Sequence, residues 1–191
     1  MSQTCSPGSR VSVVKIGGGL AMIPTALEQV CRAVEEAARV GCIVVVPGGG
    51  PFADAVRSFD EEIGLSSTAA HWMAILAMDQ YAFALADRIR GAILLENPGS
   101  VPEALARGKV AVLAPSRWMR SADVLPHSWD ITSDSIAAFI AGALGASRLV
   151  LIKPVSQGGV DPCFARTLPD GLPVSVLSWD RVEMLANELS G

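Results

Sequence analysis

Two runs of three glycines, each placed directly after an apolar stretch rich in β-branched residues, constrain the fold more than any other feature. Val11 to Ile16 stops at Gly17-Gly18-Gly19, and Cys42 to Val46 stops at Pro47-Gly48-Gly49-Gly50-Pro51. A short apolar run bounded by glycine reads as a strand buried on both faces, which calls for a parallel sheet with helices above and below it. Helical spacing follows both runs. Leu27, Val30, Val34 and Ala37/Ala38 recur within Pro24–Val40, closed by Gly41. Further helical patterns cover Phe52–Ile63 and Ser67–Asp87, the second opened by Ser66/Ser67 as candidate caps. Strand patterns return at Ala92–Leu95, Val110–Leu113, Leu149–Ile152 and Val174–Leu177, with helices expected at Asp134–Leu144 and Ser178–Leu189. This alternation predicts an α/β fold: a three-layer α/β/α sandwich with an open, mostly parallel sheet. Residues 1–191 read as a single domain, and the polar stretch Ser116–Ser128 is the nearest thing to an internal boundary.

Composition narrows the classes of function. Half of the residues are hydrophobic and 18% are charged, which excludes a disordered chain and suggests that some surface is buried between subunits. A formal charge of −4 gives no electrostatic footprint for nucleic acid or for an anionic membrane. No apolar run reaches the roughly 18–20 residues that a membrane span requires. Residues 1–10 are polar, with Pro and Gly, and lack the apolar core of a secretion signal. Cys5, Cys31, Cys42 and Cys163 show no metal-ligand or CxxC spacing and are expected to be small, reduced core residues. The expectation is a soluble, cytoplasmic protein.

The chemistry is expected at the carboxyl ends of the strands, where open α/β sheets bind ligands. Three strands end there in Lys15-Ile16-Gly17-Gly18-Gly19, Pro47-Gly48-Gly49-Gly50-Pro51 and Ile152-Lys153-Pro154. Glycine runs beside helix N-termini can turn backbone N–H groups toward phosphate oxygens, although a plain tight turn accounts for a single run equally well. Neither run is a P-loop, because GxxxxGK[ST] is absent and Lys15 precedes its glycines. A third constellation, Trp129-Asp130-Ile131-Thr132-Ser133-Asp134-Ser135, stands directly before an apolar helix. Asp134 there is either a helix cap or a carboxylate that orients two nearby ammonium groups. Lys153 belongs to a set of three lysines, with Lys15 and Lys109, which makes its place at a strand end notable.

Taken together, K-x-G-G-G, VVVPGGGPFAD and D-x-x-x-D-S-I-A, spread over Val11 to Val155, resemble the amino acid kinase family. The segments from His71 to Tyr81 and SWDITSDSIA are most similar to its kinases of methanofuran-type cofactor biosynthesis. The resemblance implies an ATP- and Mg²⁺-dependent phosphotransferase acting on a small, phosphorylated acceptor. Alternatives are a uridylate-type nucleoside monophosphate kinase and a non-catalytic relative that binds ligand or supports a biosynthetic partner protein. The resemblance further implies an acceptor lobe at about 11–125 and a shortened nucleotide lobe at about 126–191. It implies catalytic roles for Lys15, Asp134 and Lys153. Nucleotide phosphates would be bound by Gly17, Gly18 and Gly19, and the acceptor by Gly48, Gly49 and Gly50. Arg57 and His71 are the candidate cationic partners of a phosphorylated acceptor, and Asp130 is the candidate Mg²⁺ ligand. The apolar helix carrying Trp72, Met73, Ile75, Leu76, Met78 and Tyr81 is expected to serve core and subunit interface, so a homo-oligomer, dimer or larger, is anticipated. After Lys153 the pattern departs from the family, with Pro154 to Pro162 in place of a D-V-D-G-like stretch.

Overall fold

The computed structural model describes residues 5, 9–155 and 159–190. Ser156, Gln157 and Gly158 of the stretch after Lys153, and most of the polar amino-terminal segment, lie outside the described residues. Six strands form one sheet: β1 (Val11–Ile16), β2 (Cys42–Pro47), β3 (Ala92–Leu95), β4 (Val110–Leu113), β5 (Arg148–Lys153) and β6 (Val174–Ser178). Their order is β3-β4-β2-β1-β5-β6, and every pairing is parallel. β1 and β2, the strands that run into glycine, therefore lie side by side at the centre, with Ile16 opposite Pro47.

Period-two alternation sorts the strand residues into two cores. Val13, Val44, Ala111, Leu149 and Leu151 face one core, which is completed by Ile136, Ala137 and Ile140. Val14, Ile16, Ile43, Val45, Val150 and Ile152 face the other, with Val30, Val34 and Leu185. Both sheet faces are thus covered, as the continuous apolar strands require. The helices are α1 (Ala26–Ala37), α2 (Gly50–Ile63), α3 (Ser67–Arg88), α4 (Val101–Ala106), α5 (Ser116–Ala122), α6 (Ser133–Ala143), α7 (Phe164–Thr167) and α8 (Leu185–Ser190). The long helix α3 serves both cores, through Ile75 and Met78 on one side and Tyr81 and Leu85 on the other. No described helix is long and apolar enough to cross a membrane.

The stretch Ser116–Ser128 holds α5, whose Ser116 donates its N–H and hydroxyl to Asp79 on α3. Two features differ from the sequence expectations. The terminal helix expected from Ser178 is a 3₁₀ segment, Trp179–Met184, followed by the short α8. The expectation that all four cysteines are reduced is corrected for two of them. Cys5 and Cys42 form a disulfide, with Cα atoms 6.0 Å apart, whereas Cys31 and Cys163 are buried and free. The pairing follows from tertiary placement: the Cys5 N–H donates to the Leu105 carbonyl, which lays that residue against the start of β2, 37 positions away in sequence.

Candidate active site

Strand parity places the two lysines. Lys15 lies two residues beyond Val13 and Lys153 two beyond Leu151, so both project on the α6 face of adjacent strands. Asp134, in the first turn of α6, meets both. Its Oδ1 is 2.8 Å from Lys15 Nζ and its Oδ2 is 2.6 Å from Lys153 Nζ. All three side chains are under a tenth exposed. Asp134 does not cap the helix; that task falls to Thr132, whose hydroxyl accepts the Asp134 N–H. The helix N-terminus and two ammonium groups favour the ionised carboxylate. Burial alone would raise the Asp134 pKa, but Lys15 and Lys153 outweigh it and hold the carboxyl below its ordinary value. Burial lowers the Lys15 pKa more than Asp134 raises it, and the charge of Lys153 adds to the lowering.

Asp161 organises the same corner, and nothing in its sequence context marked it. Its carboxylate accepts from the N–H and hydroxyl of Thr132, the N–H and hydroxyl of Ser135, and the N–H of Cys163. It therefore adds, from another segment, to the local cap that Thr132 gives α6. The chain that follows β5 is pinned onto the helix that carries Asp134. Lys153 is tied into this arrangement as well, donating to the Gly159 carbonyl at 2.7 Å.

The two glycine runs meet backbone to backbone. A Cβ on Gly18 would lie 2.0 Å from the Gly50 nitrogen, so only glycine allows the loops to approach this closely. Gly50 opens α2 at φ +60°, a conformation in the left-handed region. No side chain caps this helix, whose second residue is Pro51. The six glycines divide into two groups. Gly18, Gly19, Gly49 and Gly50 line a cavity of about 230 Å³. Gly17 and Gly48 do not, because their N–H groups donate to the carbonyls of Ile152 (2.8 Å) and Ile16 (2.7 Å). Both N–H groups thus stitch the sheet end together.

The remainder of the cavity comes from α2, α3 and the segment that leads into α6. Arg57 and His71 both line it, together with Asp54, Trp129, Thr132 and Ser133. Ile75, Met78, Ile131 and Ile136 add apolar surface. The Arg57 guanidinium lies over the Trp129 ring at 4.6 Å and 3.5 Å from Asp54, while the Trp129 indole N–H donates to Asp60 at 2.7 Å. His71 is 6% exposed, and burial together with the neighbouring His127 lowers its pKa. Asp130 is exposed and stands outside the cavity lining; its contact is a backbone N–H donated to the Ser128 hydroxyl. Among the described residues no group of three or more His, Cys, Asp or Glu side chains is placed to hold a metal ion. Sequence reasoning missed Asp54, Trp129 and Asp161 as parts of this region. Asp54 and Trp129 do fall inside the motifs it used, three positions before Arg57 and one before Asp130.

Residues 10–184 match the Amino acid kinase family. Over 145 residues the chain is 32% identical to [5-(aminomethyl)furan-3-yl]methyl phosphate kinase of Methanocaldococcus jannaschii, a match that covers 75% of this chain and 65% of that relative's length. Among solved structures, UMP kinase from Bacillus anthracis superposes with a TM-score of 0.73 at 14% identity, covering 96% of this chain and 93% of that one. Uridylate kinase from Archaeoglobus fulgidus gives 0.58 at 20% identity, covering 77% and 64%. At these identities the structural likeness speaks for the fold, and the family match, which takes in nearly the whole chain, decides membership: this protein belongs to the amino acid kinase family.

Proposed function

We propose that the chain is an ATP-dependent small-molecule kinase whose acceptor is itself a phosphate monoester. The observation that carries this reading is the Lys15–Asp134–Lys153 cluster beneath the first turn of α6, next to a cavity framed by Gly18, Gly19, Gly49 and Gly50. Phosphoryl transfer asks a protein chiefly for alignment and for neutralisation of charge on the transferred group. Lys15 and Lys153 supply that charge, and Asp134 fixes the position of both. The shared carboxylate keeps two like charges at the ends of adjacent strands, where they would otherwise repel.

Within this reading the division into an acceptor side at about 11–125 and a nucleotide side at about 126–191 follows the two ends of the sheet. The named substrate of the Methanocaldococcus relative combines an amine, an aromatic ring and a phosphate. The cavity offers a partner for each: the Asp54 carboxylate, the Trp129 ring with its apolar surroundings, and the Arg57 guanidinium with the His71 imidazole. That match supports a furan-type acceptor of cofactor biosynthesis. Mg²⁺ is expected to arrive with ATP, held mainly by phosphate oxygens, since the described residues form no multi-carboxylate cage.

The test begins with MgATP titration by calorimetry. Binding in the micromolar to low-millimolar range, lost in Lys15→Ala, supports the kinase. No binding up to several millimolar overturns it in favour of a ligand-binding or scaffolding relative. Given binding, incubation with [5-(aminomethyl)furan-3-yl]methyl phosphate and separately with UMP, followed by phosphorus NMR, distinguishes the acceptors. A diphosphate product from UMP alone would overturn the furan assignment.

A further inference from the structure

The chain has two histidines, and the fold stacks them on each other at the rim of the cavity. The rings of His71 and His127 lie 4.6 Å apart, centroid to centroid, with planes 21° from parallel. Trp72 meets both edge-on, at 5.0 and 5.1 Å. His127 is held at both nitrogens: Nε2 lies 2.8 Å from Asp123 Oδ1 and Nδ1 lies 3.0 Å from Thr68 Oγ1. Asp123 ends α5 in the left-handed region at φ +42°, a conformation that Asp tolerates better than most residues. Thr68 stands three residues before His71 on α3, on the same helix face. His71 differs from its neighbour. It lines the cavity, is 94% removed from solvent, and makes no protein hydrogen bond among the described residues.

We propose that His127, held by Asp123 and Thr68, is a positioning residue for His71, and that a phosphate monoester entering the cavity is bound with uptake of one proton by the His71 imidazole. This inference rests on reading the cavity as the acceptor site.

The Asp123 carboxylate fixes a proton on Nε2 of His127. The Thr68 hydroxyl can donate to an unprotonated Nδ1 or accept from a protonated one, so His127 keeps both contacts in either state. Two imidazolium rings stacked at this distance repel, so the pair carries at most one extra proton with ease. The groups facing His71 are few. Asp54 and Arg57 reach the cavity from α2, Arg120 lies 5.8 Å over Trp72 from α5, and Asp123 and His127 follow α5. The cavity-lining residues of α6 and of the turn before it do not ionise. In the free protein, burial and His127 keep His71 neutral near pH 7. An arriving phosphate dianion reverses the balance, because a charge-assisted hydrogen bond to imidazolium gains more than burial costs. The proton comes from solvent and settles on the His71 nitrogen, and no bond is made or broken in the ligand.

The experiment is ring-nitrogen NMR of the full chain labelled with ¹⁵N-histidine, titrated with pH in the absence and presence of benzyl phosphate. Saturation should raise the His71 pKa by about one unit or more, equivalent to about tenfold tighter binding of the protonated form. Calorimetry in two buffers of different ionisation enthalpy should register the same proton. Asp123→Asn removes an exposed charge and should move the His71 titration to lower pH. His127→Phe keeps a stacked ring but removes the tethers and the group that lowers the His71 pKa, so the free His71 titration should move to higher pH while the loss of positioning weakens benzyl phosphate binding about tenfold. An unchanged His71 titration on saturation, or a His127→Phe protein with wild-type affinity and pH profile, overturns the proposal. Lys15-dependent MgATP binding with no response of His71 would leave the kinase reading standing while this inference falls.

Discussion

Asp134 carries more than its share of the site, because one carboxylate satisfies two buried lysines. Removing its charge leaves both ammonium groups without a counter-ion in a dry environment. Asp134→Asn is therefore expected to cost about 3–5 kcal/mol of folding stability, read from urea denaturation at neutral pH. The pH dependence has a definite sign. The folded pKa of Asp134 lies below 3.8, so the stabilisation is present in full above that value and disappears as pH falls through the folded pKa. The acid limb of stability should accordingly be shallower in Asp134→Asn. Lys15 acts on the alkaline side: its pKa is lowered from 10.5, so kcat/KM should begin to fall at lower pH than a free lysine would dictate. Lys15→Ala is expected to reduce kcat by about 10²–10³ while the circular dichroism spectrum is retained. These residues were legible in the sequence, since lysines are scarce and two of them stand at strand ends. Asp161 was not. Its importance arises from accepting hydrogen bonds across 26 to 29 positions, and no local spacing encodes that reach.

At the level of elements, the two glycine loops make a single structure. β1 and β2 end side by side, and the loops that follow touch through Gly18, Gly48 and Gly50. Gly18→Ala must push its methyl group into the Gly50 backbone, so it is expected to displace both loops, lower the melting temperature and abolish MgATP binding together. Gly64→Ala makes a useful control. It carries φ +67° but meets nothing within 4 Å, so only the strain of that conformation, about 1 kcal/mol, is expected, with ligand binding unaltered. The strands were legible because apolar β-branched runs bounded by glycine have few other readings. Helices α4 and α5 escaped notice because six or seven residues give too few turns for a periodic signal. The roles of Gly17 and Gly48 were hidden for a related reason: whether an N–H is free or already bonded to a neighbouring strand depends on register, which sequence alone does not supply.

On the scale of the whole molecule, α2 and α3 pack against each other and leave an apolar surface outside. Phe52, Phe59 and Ile63 share one face of α2, and Leu76 and Phe83 share one face of α3, all at least a third exposed. We expect the homo-oligomer anticipated from composition to form through this surface. Phe83→Glu, at 60% exposure in the single chain, is expected to lower the molar mass measured by light scattering to that of one chain without unfolding it. An unchanged mass would move the interface elsewhere.

The alternation of the strands between two cores has a further consequence for how this protein can vary. Lys15 and Lys153 reach Asp134 because each lies an even number of positions from an apolar neighbour on the same face. Deleting a single residue inside β1 or β5 would turn the lysine into the opposite core, among Val14, Ile16 and Ile152, where no carboxylate awaits it. A change of length within these strands is therefore excluded, and between strands it is tolerated only away from the glycine loops and the Asp161 segment. The central strands behave like a reading frame, in which a substitution is a local event and a one-residue shift rewrites everything downstream.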